Sequence, residues 1–202
     1  MNFGTKLIHN GNETDPHTGA LSVPIYQVST YHQGDMEKPR EYDYSRSGNP
    51  TRKALENTIA ELENGSRGFA FASGMAATSS VLSIFSSGDH LIVCEDVYGG
   101  TYRITTGYFK RFGLEVDFVD AGNLDAIKEK IKPNTRAVFL ETPSNPLLKI
   151  TDLKGAIGLA KEHGLLTIVD NTFMSPYLQR PLELGADVVI HSATKFIGGH
   201  SD

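Results

Sequence analysis

The sequence predicts an α/β fold in which a largely parallel sheet is covered by helices. Short apolar runs rich in β-branched residues alternate with segments whose apolar residues recur at helical spacing. Turns rich in glycine, asparagine and proline separate the two kinds of segment. Units that alternate in this order favour a parallel sheet, because each helix returns the chain to the end of the sheet where the next strand begins.

Residues 1–50 differ from the rest of the chain. They are rich in Gly, Asn, Asp, Pro and Tyr and show little sustained periodicity, which favours an extended arm with short helical or turn pieces. From Thr51 the apolar residues recur at helical spacing until Leu62, and Asn64 and Gly65 then indicate a helix stop. We therefore divide the chain into an amino-terminal arm, residues 1–50, and an α/β domain, residues 51–202.

The α/β domain is predicted to alternate strands and helices along its whole length. The apolar runs predicted as strands are Gly68–Ala72, His90–Cys94, Glu115–Val119, Ala137–Glu141, Leu165–Asp170 and Val188–His191. The segments predicted as helices are Met75–Phe85, Thr101–Phe112, Leu124–Ile131, Leu153–His163 and Tyr177–Leu184. Pro181 should distort or break the last of these, because proline clashes with the preceding helical turn.

Several polar residues follow the predicted strands, where open sheets of this class bind ligands. Ser73 precedes a predicted helix, so the backbone amides of Gly74 and Met75 suit a phosphate dianion, although a plain helix cap is the alternative. Asp170 ends an apolar run, where a carboxylate either caps the next turn or binds a ring nitrogen. The sequence thus indicates a ligand site at this edge of the sheet.

Lys195 is the most informative residue of the chain, because it lies among hydroxyl residues and glycines after the last predicted strand. Such a lysine can hold a phosphorylated aldehyde as a Schiff base, with Ser192 and Thr194 binding the phosphate. A free lysine has a pKa of ~10.4, so the role requires a site that lowers this pKa or captures the amine. The alternative is a solvated surface lysine, because lysine is rarely buried.

Motifs in a fixed order carry a family resemblance. They are Asp43–Thr51, Ser73–Ala77, Asp96–Thr101, Glu141–Pro146, Val169–Thr172 and Ser192–Lys195. With them the chain resembles the transsulfuration enzymes that depend on pyridoxal 5'-phosphate (PLP), from about Leu7 to Asp202. The resemblance implies a large domain of the aspartate-aminotransferase type (fold type I) with PLP as cofactor. Family members continue well past the lysine, so we expect an α/β domain incomplete at its carboxyl end and an absent carboxyl-terminal domain.

The resemblance also implies roles for residues of the α/β domain. Lys195 would bind PLP and carry protons, Asp170 would keep the ring nitrogen protonated, and Tyr98 would stack on the ring and assist proton transfer. Asn145 resembles the asparagine near the cofactor oxygen and the substrate carboxylate, although an ordinary Asn-Pro turn is the alternative. Arg103 would lie near the far end of the substrate.

In the arm, Tyr44 and Arg46 resemble the pair that reaches the phosphate bound by a neighbouring subunit. Arginine suits this role because its planar fork donates two hydrogen bonds at once. The resemblance therefore implies a homo-oligomer, namely a dimer that shares its active sites and forms a tetramer as a dimer of dimers.

Within the family, the chain is most similar to bacterial cystathionine β-lyases in its arm motif, in Gly100–Arg103 and in Asn171–Pro176. We therefore expect a carbon–sulfur lyase of methionine and cysteine metabolism that cleaves L-cystathionine to homocysteine, pyruvate and ammonia. Cystathionine γ-synthase, cystathionine γ-lyase and a catalytically incompetent fragment are the alternatives, since the family's specificity residues lie largely beyond the lysine.

Other classes of function find little support in the sequence. A hydrophobic content of 39% and a net charge of −5 give no reason to expect nucleic acid as a partner. No G-x-G-x-x-G follows the early strands and no P-loop motif is present, which counts against a nicotinamide dehydrogenase and a nucleotidase. His191 and His200 lack a ligand-spaced set, so no metal site is expected.

The remaining features concern location and the cysteine. Cys94 lies in an apolar run and is interpreted as a small buried side chain rather than a redox group. The amino terminus lacks the apolar core of a signal peptide, and no run reaches the length of a membrane span. We therefore expect a cytoplasmic protein with no membrane partner.

Overall fold

The computed structural model describes residues 2–11 and 14–200, so the last two residues of the predicted α/β domain lie outside the described part. The chain divides into two compact units, one extending to Ala70 and one beginning at Phe71. Among the described residues, none of the helices combines the length and the apolar character needed to cross a membrane.

The first unit contains short elements and one longer helix. Helix α1 (Phe3–His9) is followed by a small antiparallel ribbon of β1 (Gly34–Asp35) and β2 (Lys38–Pro39). Helix α2 (Pro50–Leu62) begins where the sequence predicts, because Asn49 accepts a hydrogen bond from the backbone N–H of Thr51. The predicted boundary after residue 50 falls at the start of α2, within this unit.

The second unit is built on a sheet of parallel strands, which confirms the predicted fold class. Its strands are β3 (His90–Cys94), β4 (Glu115–Val119), β5 (Thr135–Glu141), β6 (Leu166–Asp170) and β7 (Val188–Ile190). They lie in the order β4-β3-β5-β6-β7, and each neighbouring pair is parallel. All the carboxyl ends therefore meet at one edge of the sheet.

Helices connect the strands of this unit at the predicted places. They are α3 (Gly74–Leu82), α4 (Gly99–Arg103), α5 (Leu124–Glu129), α6 (Leu153–Glu162), α7 (Ser175–Leu178) and α8 (Pro181–Leu184). Helix α4 continues as a π-helical turn and a 3-10 turn as far as Phe112, so the predicted helical segment is present but is not uniformly α. Pro181 begins α8, and the predicted interruption before it is confirmed.

The strand predicted at Gly68–Ala72 is wrong. An apolar run becomes a strand only when a neighbour completes its ladder of hydrogen bonds, and no strand of the described residues pairs with this segment. Instead, the backbone N–H of Ala70 donates to Oε1 of Glu56 at 3.1 Å. Phe69 and Phe71 are 62% and 46% exposed, so this run lacks the burial that its composition suggests.

The core of the second unit lies around the central strands. Leu91, Ile92, Phe139 and Ile168 are completely buried, and the helices cover them on the faces of the sheet. Cys94 belongs to this core, and burial raises the pKa of its thiol, so it packs as a small apolar side chain. This apolar centre fixes the strand register that aligns the polar residues at the carboxyl edge.

Candidate active site

A cavity of about 250 Å³ lies at the carboxyl edge of the sheet in the second unit. The site residues that the sequence predicts in the α/β domain line it, with the exception of Arg103: Gly74, Met75, Tyr98, Asn145, Asp170, Ser192, Thr194 and Lys195. Arg103 ends α4 and is not among the lining residues. Other lining residues are Ser73, Thr78, Glu141, Thr172, Phe173 and Ile190. The fold therefore gathers residues from distant parts of the sequence around one space.

The amino terminus of α3 forms one wall of the cavity. The side chain of Ser73 accepts a hydrogen bond from the backbone N–H of Ala76 at 3.1 Å and so caps the helix. Gly74 comes directly against Ser192, which follows β7. This contact places free backbone amides and a hydroxyl side by side, an arrangement that suits a phosphate group.

Asp170 ends β6 and is held by Thr172. The backbone N–H and the hydroxyl of Thr172 both donate to Oδ1 of Asp170, at 3.1 and 2.5 Å. Burial raises the pKa of the Asp170 carboxyl, while the hydrogen bonds from Thr172 and the nearby Lys195 and His191 act in the opposite direction. A carboxylate in such surroundings is stabilised by a cationic partner in the cavity.

Thr172, which the sequence analysis did not select, also connects two of the predicted residues. Its hydroxyl oxygen accepts a hydrogen bond from the backbone N–H of Ser192 at 2.9 Å while its hydrogen is donated to Asp170. One side chain thus fixes the carboxylate relative to the loop after β7. The motif Val169–Thr172 contained this residue, but a threonine two positions after an aspartate also fits an ordinary turn.

Glu141 is another lining residue that the sequence analysis did not select. It ends β5, directly opposite Asp170 in the register of the sheet, and is 7% exposed. Its Oε2 accepts the backbone N–H of Tyr98 at 2.7 Å. Burial, followed by the charge of Asp170, raises the pKa of Glu141 to about 7. The sequence offered one signal for Glu141: it ends an apolar run, as Asp170 does in its own strand.

Tyr98 and Asn145 flank the cavity from two different loops. Tyr98 follows β3 and precedes α4, and its ring remains partly exposed. Asn145 follows β5 in the loop that leads to α6. Both positions are compatible with contact to a planar ligand in the cavity.

Lys195 lies in the turn after β7, with its backbone N–H bonded to the carbonyl oxygen of Ser192 at 3.1 Å. It is exposed, and its amine is near enough to Asp170 to act against the burial that raises the pKa of that carboxyl. An accessible amine and a half-buried carboxylate therefore border the same space.

Tyr44 and Arg46 belong to the first unit. The guanidinium carbon of Arg46 lies 4.9 Å from the centre of the Tyr44 ring, a cation–π contact between two exposed side chains. Their predicted contact with the phosphate of a neighbouring subunit stays a prediction. In the part of the chain that the structure describes, no group of His, Cys, Asp and Glu side chains is arranged to hold a metal ion.

The residues of the cavity fit the cofactor expected from the sequence. The amides at the start of α3 and the hydroxyls of Ser192 and Thr194 suit a phosphate, and Asp170 suits a protonated ring nitrogen. Lys195 provides an amine for an aldehyde. The cavity thus combines the separate groups that a phosphorylated pyridine aldehyde requires.

Comparison with known proteins agrees with this geometry. The family model described as Cys/Met metabolism PLP-dependent enzyme matches residues 4–202. The chain is 58% identical to cystathionine beta-lyase of Lactococcus lactis subsp. cremoris (strain MG1363), over 98% of this chain and 52% of the relative. It is 56% identical to cystathionine gamma-lyase of Bacillus subtilis (strain 168), over 100% of this chain and 53% of the relative.

A solved structure gives the same result for the fold. The crystal structure of cystathionine gamma-lyase from Lactobacillus plantarum complexed with L-serine superposes with a TM-score of 0.95 at 55% identity. The superposition covers 100% of this chain and 53% of that one. The chain therefore spans about half the length of the relatives that it matches.

Proposed function

Because this chain belongs to the family of PLP-dependent enzymes of cysteine and methionine metabolism, we propose that it forms the cofactor site of a carbon–sulfur lyase that acts on L-cystathionine. The observation that supports this most directly is the single cavity that joins Lys195, Asp170, Tyr98 and the α3 amino terminus. The family's substrates are small amino acids, and sulfur amino acids are the substrates proposed here.

The proposed contacts with PLP follow from the chemistry of each group. The backbone amides of Gly74 and Met75 and the hydroxyls of Ser192 and Thr194 bind the phosphate. Asp170 pairs with the ring nitrogen, and Tyr98 stacks on the ring. When bound, PLP supplies an electron-withdrawing ring that stabilises negative charge at the substrate Cα.

Lys195 binds the cofactor and then transfers protons. Its Nζ takes the proton from the substrate Cα and returns a proton later in the cycle. The two hydrogen bonds that Thr172 donates to Asp170 favour its charged form beside the ring nitrogen, against the burial that raises its pKa. Asn145 orients the substrate carboxylate.

Cleavage between Cβ and sulfur is the first candidate reaction, which gives homocysteine, pyruvate and ammonia. The similarity to a cystathionine beta-lyase at 58% identity supports it. Cystathionine γ-lyase activity is the second candidate, because a gamma-lyase is 56% identical and another has a TM-score of 0.95. Cystathionine γ-synthase activity remains the other alternative from the sequence resemblance.

The proposed assembly is a cytoplasmic homo-oligomer with shared active sites. The exposed guanidinium of Arg46, stacked on Tyr44, is available to a phosphate bound by a second subunit. A tetramer built as a dimer of dimers extends this proposal.

The test is to incubate the purified protein with PLP, reduce with borohydride and map the modified peptide by mass spectrometry. A pyridoxyl group fixed on Lys195 is expected, and Lys195→Ala should abolish it while the exposed-site control Lys154→Ala should keep it. Labelling spread over surface lysines would refute the site. Incubation with L-cystathionine then separates the reactions, because β-cleavage releases homocysteine and γ-cleavage releases cysteine.

A further inference from the structure

A single carboxylate connects the two loops that flank the cavity. Glu141 accepts the backbone N–H of Tyr98 at 2.7 Å. The backbone N–H of Asn145 also lies near this carboxylate and favours its ionised form. Tyr98 and Asn145 follow different strands, β3 and β5. Glu141 therefore holds the Tyr98 loop by a hydrogen bond and attracts the backbone of the Asn145 loop by its charge.

The hydrogen-bonding capacity of this side chain depends on its charge. An ionised carboxylate only accepts hydrogen bonds, whereas a protonated carboxyl turns one oxygen into a donor and leaves less capacity for two N–H groups. Hydrogen bonds to a charged acceptor are also about twice as strong as those between neutral groups. Both effects hold Tyr98 and Asn145 more firmly when Glu141 is ionised.

The groups around Glu141 set the pH at which this change occurs. Asp170 faces it from β6, Asp96 lies after β3, and the neutral thiol of Cys94 lies on β3. The two neighbouring carboxylates and burial oppose ionisation, while the backbone N–H groups of Tyr98 and Asn145 favour it. The balance places the pKa of Glu141 at about 7.

We propose that Glu141 is a positioning residue whose negative charge holds Tyr98 and Asn145 in their places at the PLP site, so that the site tightens as Glu141 ionises. The inference rests on the proposed function, because it concerns the same cavity. The ionised carboxylate also adds negative charge beside Asp170, which favours a protonated ring nitrogen there.

The experiment compares PLP binding by wild type and Glu141→Gln between pH 5.5 and 8.5, with cofactor affinity measured by absorbance titration. The variant keeps the size of the side chain but cannot ionise. Its Kd should exceed that of wild type by about tenfold at pH 8.5, since the charge-assisted hydrogen bond from Tyr98 is weakened and the attraction of the Asn145 backbone to the charge is lost. The ratio should fall to within about twofold at pH 5.5, where Glu141 is protonated in wild type.

Circular dichroism of the bound cofactor gives a second readout, because it reports the environment of the ring. Its band should change with pH through about 7 in wild type and not in Glu141→Gln. Glu162→Gln removes the same charge at an exposed position of α6 and should follow wild type at every pH. A Kd ratio that is constant with pH would indicate a merely structural role and would overturn the proposal.

NMR of the cofactor-free wild type tests the proposal even if Glu141→Gln fails to fold. The backbone amide proton of Tyr98, followed by NMR in wild type, should shift downfield as Glu141 ionises, with a midpoint near 7. A Tyr98 amide signal that does not titrate overturns the positioning role and leaves the PLP site intact. Failure of wild type to fix PLP on Lys195 overturns the proposed function and this inference together.

Discussion

A Cβ atom on Gly74 would lie 2.8 Å from Cβ of Ser192, closer than carbon atoms of side chains approach in folded proteins. The amino terminus of α3 and the loop after β7 therefore meet only because residue 74 carries no side chain. Both segments hold groups that we assign to the phosphate of PLP. The spacing of the phosphate site is thus set by the close approach of the Gly74 backbone to Ser192.

Gly74→Ala should separate these two segments and weaken the binding of PLP. Because the new methyl group meets the Cβ and the backbone of Ser192, the segments have to move apart, and we expect a Kd increase of about tenfold or more. A PLP titration measures this. Gly158→Ala is the control, since nothing lies within 4 Å of the added atom, and it should leave PLP affinity unchanged. Equal affinity in both variants would contradict the prediction.

Thr172→Val should destabilise the protein and weaken PLP binding. The change leaves the backbone N–H of Ser192 without its acceptor and removes a donor from Asp170, and we expect a loss of about 1–3 kcal/mol in the free energy of unfolding. Denaturant unfolding and a PLP titration give the two values.

Thr167→Val is the matched control for Thr172→Val. The hydroxyl of Thr167 is buried on β6 and finds no hydrogen-bond partner within residues 2–11 and 14–200. Its replacement by a methyl group should be neutral or stabilising, because it removes an unsatisfied polar atom. A similar loss of stability in both variants would show that valine itself, and not the lost hydrogen bonds, is responsible.

The sequence correctly predicted those strands whose apolar run lies beside another strand with which it pairs. Strands such as His90–Cys94 and Glu115–Val119 have the predicted bounds, because each apolar run lies beside another in the sheet. Gly68–Ala72 has a comparable composition but lacks a partner among the described residues. A single sequence does not state which run pairs with which, so this error could not be avoided.

The site residues divide in the same way, into those that a local pattern identifies and those whose role depends on a neighbour in the fold. Asp170 and Lys195 were predicted because their residue types suit a known chemistry, and the structure places both at the cavity. Glu141 was passed over because its importance depends on the neighbour opposite it and on a backbone N–H from another loop. Such relations follow from strand register, which a local pattern does not contain.

Glu141→Gln should make the cofactor-free protein more stable at high pH. Since burial raises the pKa of Glu141 from 4.5 to about 7, ionisation costs the folded state stability as pH rises from 4.5, and the full cost applies above 7. One pKa unit corresponds to about 1.4 kcal/mol, so the cost is on the order of 3 kcal/mol.

Unfolding in denaturant at pH 5.5, 7.0 and 8.5 checks this. The variant should exceed wild type most at pH 8.5, and the difference should shrink as the pH falls toward the ordinary pKa of glutamate. Glu162→Gln should show no such pH-dependent difference, because its carboxylate is exposed. A wild type that is the more stable protein at pH 8.5 would contradict the burial of a costly charge at this site.

Gly100→Ala should disturb the ring of Tyr98 with little effect on folding. A Cβ atom at position 100 would lie 2.5 Å from Cε1 of Tyr98 and 2.6 Å from Sδ of Met75. Both are far ends of side chains that can rotate away, while alanine itself favours the helix by up to about 1 kcal/mol. We therefore expect an unchanged or higher melting temperature, together with PLP binding weakened severalfold and an altered circular dichroism band of the bound cofactor.

Gly107→Ala, with nothing within 4 Å of the added atom, should leave the PLP signals as in wild type. If both variants bind PLP like wild type, the Tyr98 ring does not contribute to holding the cofactor, and its assignment as the stacking residue is wrong.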